Sequence, residues 1–187
     1  LTQCDATGLV EYYEAILSAT KLPLIIQDAS GYVGNAIPIS VQAEIFGRHP
    51  DRVMFKPEAQ PIGPNLTALH RATGGRAQVF EGSGGIALVD SYHRGIAGTM
   101  PGAEVCWPVV ALWNALERGD DASARRIHGP LAAMVSMQTN LDAFIAVEKF
   151  LLVHQGILKN TLVRGPVGFR MDDEMKAELL RLFDRLK

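Results

Sequence analysis

Cysteine is scarce in this chain, with only Cys4 and Cys106 among 187 residues. Two cysteines are too few for a disulfide scaffold, and these two lie too far apart in the sequence for a metal-ligand pair. No cluster of ligand residues with metal spacing occurs elsewhere either. We therefore predict a protein of a reducing compartment that holds no metal.

Long runs of one residue class are also missing. Lys and Arg total 18 against 20 Asp and Glu, and no block of basic residues occurs, which argues against nucleic-acid binding. No apolar run approaches the roughly 20 residues of a membrane span. No signal peptide opens the sequence, so we predict a cytoplasmic protein with no membrane partner.

What the chain does contain is an alternation of apolar runs and amphipathic helical patterns, in a sequence that is 48% hydrophobic. Four short strands are predicted at 24–26, 52–56, 77–81 and 95–100. The predicted helices cover 6–20, 38–48, 65–73 with Asn65 as N-cap, 84–92, 103–117, 122–137, 141–155 and 172–186. Strands that alternate with helices indicate a parallel sheet with right-handed crossovers.

Polar residues or glycine follow every predicted strand. In open parallel sheets and in (β/α)₈ barrels, ligands bind at the edge where the strands have their carboxyl ends. We therefore expect these residues to share one rim: Gln27, Asp28, Lys56, Glu81, Gly82, Ser83, Gly98 and Thr99.

Lys56 has the most specific chemical meaning in this set. It directly follows the apolar run Val53, Met54, Phe55, and a lysine at that place is costly to bury with its charge. Desolvation lowers the pKa of such an amine and frees its nucleophilic lone pair. The alternative is a lysine whose stem packs while its head reaches solvent.

The strand ends carry a family resemblance. In order they read "LPLIIQD", "VMFKPEA", "VFEGSGG" and "GIAGTMPG", with a helical bundle after them. This order resembles the dihydrodipicolinate synthase / N-acetylneuraminate lyase family, whose members are (β/α)₈ TIM barrels with class I, Schiff-base chemistry. The resemblance implies an α/β fold in which 1–102 is the second half of the barrel, with four strand–helix units. It implies that 103–187 holds the last barrel helix and a C-terminal helical bundle.

The same resemblance assigns the candidate site. Lys56 matches the lysine that forms a Schiff base with a 2-oxo acid such as pyruvate, without a cofactor. Gln27 and Asp28 stand where most members carry Tyr-Asn, and because glutamine cannot titrate, proton transfer would fall to water or to Asp28. Glu58 is interpreted as a solvated loop charge, or as a group that tunes the amine. Substrate contacts are expected at Glu81, Gly82, Ser83, Gly98 and Thr99, although Thr99 could instead cap its strand.

Gln27-Asp28 before a glycine-containing turn, together with "EG" on the third strand, resembles the sugar-acid branch, in particular the 2-keto-3-deoxy-L-arabonate dehydratases. The implied reaction is dehydration or retro-aldol cleavage of a 2-keto-3-deoxy sugar acid through a shared Schiff-base intermediate. The alternatives are condensation of pyruvate with an aldehyde, or a barrel that binds a sugar acid or phosphate without catalysis. Gly82–Gly85 could hold phosphate, but the stretch lacks the GK[ST] ending of a phosphate loop and also suits a tight turn.

Four strands cannot close a barrel, for which about 250 residues are usual. We therefore expect that an N-terminal half of about a hundred residues precedes this sequence in the protein. The alternative is a genuine half-barrel that needs a partner or has lost activity. The family resemblance also implies a homo-oligomer, with a tetramer as the expected state.

Overall fold

The computed structural model describes residues 4–31 and 34–187. The strands are β1 (Leu24–Asp28), β2 (Val53–Pro57), β3 (Phe80–Glu81) and β4 (Gly98–Thr99). The helices are α1 (Ala6–Ala19), α2 (Ile39–Arg48), α3 (Ile62–Ala72), α4 (Leu88–His93), α5 (Cys106–Glu117), α6 (Asp121–Ser136), α7 (Leu141–His154) and α8 (Asp173–Asp184). A 3₁₀ turn, Ala103–Val105, precedes α5.

The chain divides into two compact units. The first consists of Leu1–Ser83 and Asp90–Met100, and the second of Gly84–Val89 and Pro101–Lys187. The division between 102 and 103 that the family resemblance implies stays a prediction.

The strands of the first unit are parallel and adjacent in chain order, as predicted. β1 pairs with β2 along its whole length, from Leu24 opposite Val53 to Asp28 opposite Pro57. A single bridge joins Phe55 of β2 to Val79, just before β3. β3 and β4 then pair in parallel, so all four carboxyl ends meet at one edge.

The two faces of this sheet differ because side chains alternate along a strand. On one face Ile26, Phe55 and Val79 are buried, and the Phe55 ring lies 6.3 Å from that of Phe46 in α2. Burying each such side chain contributes roughly 1.5–3 kcal/mol, which ties the strands to the helices. The other face of β1 and β2 carries the less buried side chains, among them Gln27 and Lys56.

The second unit is helical. Helices α5 to α8 carry fully buried apolar side chains, as the predicted apolar stripes require, among them Leu112, Leu131, Met134, Leu151 and Leu179. Three of its helices begin at side chains that accept a main-chain N–H, which satisfies one of the free donors of each first turn. These N-caps are Asp120, Asn140 and Asp172.

Two predicted helix starts are wrong. α3 begins at Ile62 and not at Asn65, because Pro64 falls in the first turn, where a helix does not need the N–H that proline lacks. The Asn65 amide instead donates to the main-chain oxygen of Ala59 at 3.0 Å. α4 begins at Leu88, after a turn in which Gly84 and Gly85 have positive φ values that a helix does not allow. β3 and β4 are also shorter than predicted.

Glu104 is a buried titratable group in the second unit. Its Oε1 accepts from Nε2 of Gln138 at 2.8 Å, whereas its buried Oε2 has no hydrogen-bond partner in the described parts of the chain. Burial raises the pKa of this carboxyl above its ordinary value of 4.5, and the nearby Glu148 carboxylate raises the pKa further. The folded protein therefore holds a proton on Glu104 more tightly than the unfolded chain does.

The raised pKa of Glu104 predicts how the stability of the folded protein depends on pH. As pH rises from the ordinary pKa through the raised one, the unfolded chain loses the proton first, so wild type loses stability over that interval. Glu104→Gln keeps the carbonyl oxygen and removes the titration. It should match wild type near pH 4 and exceed it near pH 8 in urea unfolding. The exposed Glu117→Gln is the control, and an equal effect of Glu104→Gln at both pH values would contradict the prediction.

Candidate functional site

The site lies at the carboxyl ends of β1 and β2. Gln27 is directly opposite Lys56 in the parallel register, so the two side chains leave the same face of the sheet. The pairing continues one residue past β2, where the N–H of Glu58 donates to the main-chain oxygen of Asp28 at 3.1 Å. Because only Pro57 separates Lys56 from Glu58, strand alternation directs Glu58 to the same face.

Lys56 is paired with Glu58. The Lys56 Nζ lies 2.9 Å from Oε1 of Glu58, and the side chains are only 18% and 7% exposed. Nε2 of Gln27 donates to the same Oε1 at 2.8 Å. The interpretation of Glu58 as a solvated loop charge is therefore wrong, and the amine points at a carboxylate within the site.

Burial of the Lys56 and Glu58 charges is favourable only because the two ions pair with each other. Each ion loses most of its water, and an unpaired ion at the same depth would be costly. The hydrogen bond from Gln27 adds a neutral donor to the carboxylate without adding a charge. The Lys56 amine thus lies within hydrogen-bond distance of a carboxylate, a group that can accept and return a proton.

Asp28 does not join this group. It leaves β1 on the opposite face from Gln27, is 3% exposed, and accepts the N–H groups of Ser30 at 3.0 Å and Ile37 at 2.9 Å. Both bonds fix the chain that follows β1. The prediction that Asp28 transfers protons in catalysis receives no support from these contacts, which describe a structural carboxylate.

Three of the predicted substrate-binding residues form a network of their own. Glu81 is fully buried; its Oε1 accepts the Ser83 N–H, and its Oε2 lies 3.0 Å from the Thr99 hydroxyl. The other two are glycines whose space is limited by neighbours. A Cβ on Gly82 would meet Glu58, and one on Gly98 would meet the Phe80 ring. Substrate contact by any of these residues stays a prediction.

A cavity of about 210 Å³ in the first unit is lined by Asp28, Gln42 and Asn65 but not by Lys56. All three side chains form hydrogen bonds with main-chain groups of the adjoining loops and stabilise those loops. Over residues 4–31 and 34–187, no group of three or more His, Cys, Asp or Glu is arranged to hold a metal ion. No helix within that part of the chain is long and apolar enough to cross a membrane.

The fold agrees with comparisons to known proteins. The model of the dihydrodipicolinate synthetase family matches residues 1–185. The chain belongs to this family. No curated protein sequence matches it.

Solved structures show the same fold. Dihydrodipicolinate synthase from Rhodopseudomonas palustris is 21% identical, with a TM-score of 0.84 over 97% of this chain and 62% of that one. The 4-hydroxy-tetrahydrodipicolinate synthase of Methylacidiphilum fumariolicum SolV is 20% identical, with a TM-score of 0.84 over 100% of this chain and 61% of that one. A prophage protein of the dihydrodipicolinic acid synthase family from Escherichia coli K12, solved with pyruvate, is 20% identical, with a TM-score of 0.84 over 98% and 62%.

This member of the dihydrodipicolinate synthetase family thus spans a little over three fifths of the length of these structures. Its strand–helix units correspond to part of a TIM barrel, and helices follow them. The predicted fold class, a partial (β/α)₈ barrel with a C-terminal helical part, is confirmed.

The contacts of Asp28 predict a structural phenotype. Asp28→Ala removes the acceptor of two main-chain N–H groups, one buried and one half-buried. Each bond to a charged acceptor contributes about 1.5 kcal/mol, so the free energy of unfolding should fall by about 3 kcal/mol. Urea unfolding measures this, with the exposed Asp51→Ala as control. Unchanged stability together with a lost reaction at Lys56 would instead support the predicted role of Asp28 in proton transfer.

Proposed function

We propose that this chain carries the reacting amine of a class I lyase, in which Lys56 forms a Schiff base with a 2-oxo acid. The observation that carries the proposal is the 2.9 Å contact between the Lys56 Nζ and Oε1 of Glu58 at the rim of the parallel strands. Membership of the dihydrodipicolinate synthetase family supports the same chemistry.

The first half of the reaction forms the iminium. Glu58 takes a proton from the Lys56 ammonium, and the free amine attacks the C2 carbonyl carbon of the substrate to give a carbinolamine. The protonated Glu58 returns its proton to the carbinolamine hydroxyl, which leaves as water. The positively charged nitrogen of the resulting iminium is an electron sink that makes the C3 protons acidic.

The second half follows from that electron sink. Loss of a C3 proton gives an enamine, and expulsion of a protonated C4 hydroxyl as water completes a dehydration. Removal of the C4 hydroxyl proton from the iminium instead breaks C3–C4 and gives an aldehyde and an enamine. On the cleavage path, the enamine first takes up a proton at C3 and becomes an iminium again. On either path, water then attacks C2 of the iminium and releases the product from Lys56.

Glu58 takes the place of a tyrosine in proton transfer under this proposal. Most family members carry a titratable tyrosine where this chain has Gln27, and glutamine cannot transfer a proton. Gln27 instead donates to Glu58 and holds its carboxylate against the amine.

Two observations support the proposed substrate, one for its broad class and one for a narrower class. The pyruvate complex of the Escherichia coli K12 protein supports a 2-oxo acid. Gln27-Asp28 and Glu81-Gly82 support a 2-keto-3-deoxy sugar acid, with condensation of pyruvate and an aldehyde as the alternative reaction. We further propose a cytoplasmic homo-oligomer, a tetramer as the family resemblance implies.

The proposal predicts where pyruvate attaches. Borohydride reduction in the presence of pyruvate should add one pyruvate-derived mass to wild type, on the peptide that contains Lys56. Lys56→Arg keeps a cation against Glu58 and cannot form the iminium, so it should stay unlabelled while remaining folded. The exposed Lys21→Arg is the matched control. Label on other lysines, or none on wild type, would reject the lyase and favour a non-catalytic binding protein.

Glu58 has a separate test. Glu58→Gln keeps the size of the side chain but cannot take up the amine proton, so the rate of pyruvate trapping at Lys56 should fall about 100-fold. Glu11→Gln, on the exposed side of α1, should trap at the wild-type rate. If Glu58→Gln also traps at that rate, another group transfers the proton.

A further inference from the structure

Glu81 and Gly82 are neighbours that face opposite sides of the sheet edge. The Glu81 carboxylate lies on the buried side, with Oε1 on the Ser83 N–H and Oε2 on the Thr99 hydroxyl. Each carboxylate oxygen thus accepts one hydrogen bond. The main chain adds a third, because the Met100 N–H donates to the main-chain oxygen of Glu81 at 2.9 Å. The peptide after Glu81 is therefore held on both sides.

Gly82 faces Glu58. A Cβ built on Gly82 would lie 2.6 Å from both Cγ and Oε1 of Glu58, closer than any real contact of a Cβ. Gly82 does not have a positive φ, so its main-chain conformation is open to other residues. Glycine at this position supplies space, and Oε1 of Glu58 uses that space to reach Lys56 and Gln27.

A side chain at position 82 would therefore move Glu58. The main chain at 82 is held by the bonds of Glu81, whereas the Glu58 side chain ends in rotatable bonds and is the softer of the two. Displacement of its carboxylate would break the contacts at 2.8 Å to Gln27 and 2.9 Å to Lys56 together, because both use the same oxygen.

We propose that Glu81 and Gly82 are positioning residues that set the place of the Glu58 carboxylate. Glu81 fixes the peptide, and Gly82 leaves the room into which Oε1 of Glu58 fits. The expected effect on the rate of pyruvate trapping rests on the proposed function. The placement of the Glu58 carboxylate does not. This inference differs from the predicted role of Glu81 as a substrate contact, since each oxygen of this fully buried carboxylate already accepts a hydrogen bond.

The first experiment compares Gly82→Ala, Glu58→Gln and the double variant. One readout is the side-chain amide resonance of Gln27 in protein with ¹⁵N-labelled glutamine, assigned by its loss in Gln27→Met. Gly82→Ala should shift this resonance toward its position in Glu58→Gln, because both variants lose the charged acceptor. Gly47→Ala, whose Cβ meets nothing within 4 Å, should leave it in place.

The second readout is the rate of pyruvate trapping at Lys56. Gly82→Ala should lower it about tenfold or more in wild type, and less than about twofold in the Glu58→Gln background, because the effect acts through Glu58. An equal loss in both backgrounds, or an unmoved Gln27 resonance, would overturn the inference. If wild type traps no pyruvate, the proposed function fails, while the resonance still decides whether Gly82 positions Glu58.

A second experiment tests Glu81 by conservative rescue. Glu81→Gln retains an oxygen for the Ser83 N–H and an amide that can donate to Thr99, so it should keep the wild-type Gln27 resonance. Glu81→Ala frees the peptide and should shift or broaden that resonance. A wild-type resonance in Glu81→Ala, measured on protein with native circular dichroism, would show that Glu81 does not position Glu58.

Discussion

The contact between an ammonium and a carboxylate at the end of β2 sets the requirements for the rest of the site. Lys56 and Glu58 leave the same face because one residue separates them on an extended chain, and β1 brings Gln27 alongside through its register. Neither ion has enough water to be stable alone at this depth. The parallel pairing of β1 and β2 is therefore the constraint on which the proposed chemistry depends.

The rim of the sheet divides its polar residues by face. On the Lys56 face lie the groups that can exchange a proton with an amine. On the helix-packed face, the carboxylates of Asp28 and Glu81 bind main-chain N–H groups and hold the turns that follow β1 and β3. The carboxylates at the strand ends thus fall into two groups, and whether a residue is odd or even along its strand decides which face it occupies.

Much of this could be predicted from sequence. The alternation of apolar runs and helical patterns predicted the order of strands and helices, and the apolar run before Lys56 marked the amine. Glu58 was misread although its signal was present, since a residue two positions after Lys56 on an extended chain shares its face. Asp28 was predicted to transfer protons because it is next to Gln27 in the sequence, while strand alternation places its side chain on the opposite face of the sheet.

Other details depend on tertiary contacts that no local pattern contains. The register that sets Gln27 opposite Lys56 follows from how β1 and β2 pair, and the need for glycine at 82 follows from where the Glu58 side chain ends. The early start of α3 reflects a proline in its first turn, which a rule based on N-cap residues misses.

The central claim is that the amine of Lys56 reacts with the substrate, while Glu58 takes up and returns its proton. A crystal structure of the protein soaked with pyruvate tests this most directly. We expect continuous density from the Lys56 Nζ to C2 of pyruvate, with the Glu58 carboxylate within hydrogen-bond distance of the new linkage. Pyruvate bound without a covalent bond to Lys56, or attached to a different lysine, would contradict the account.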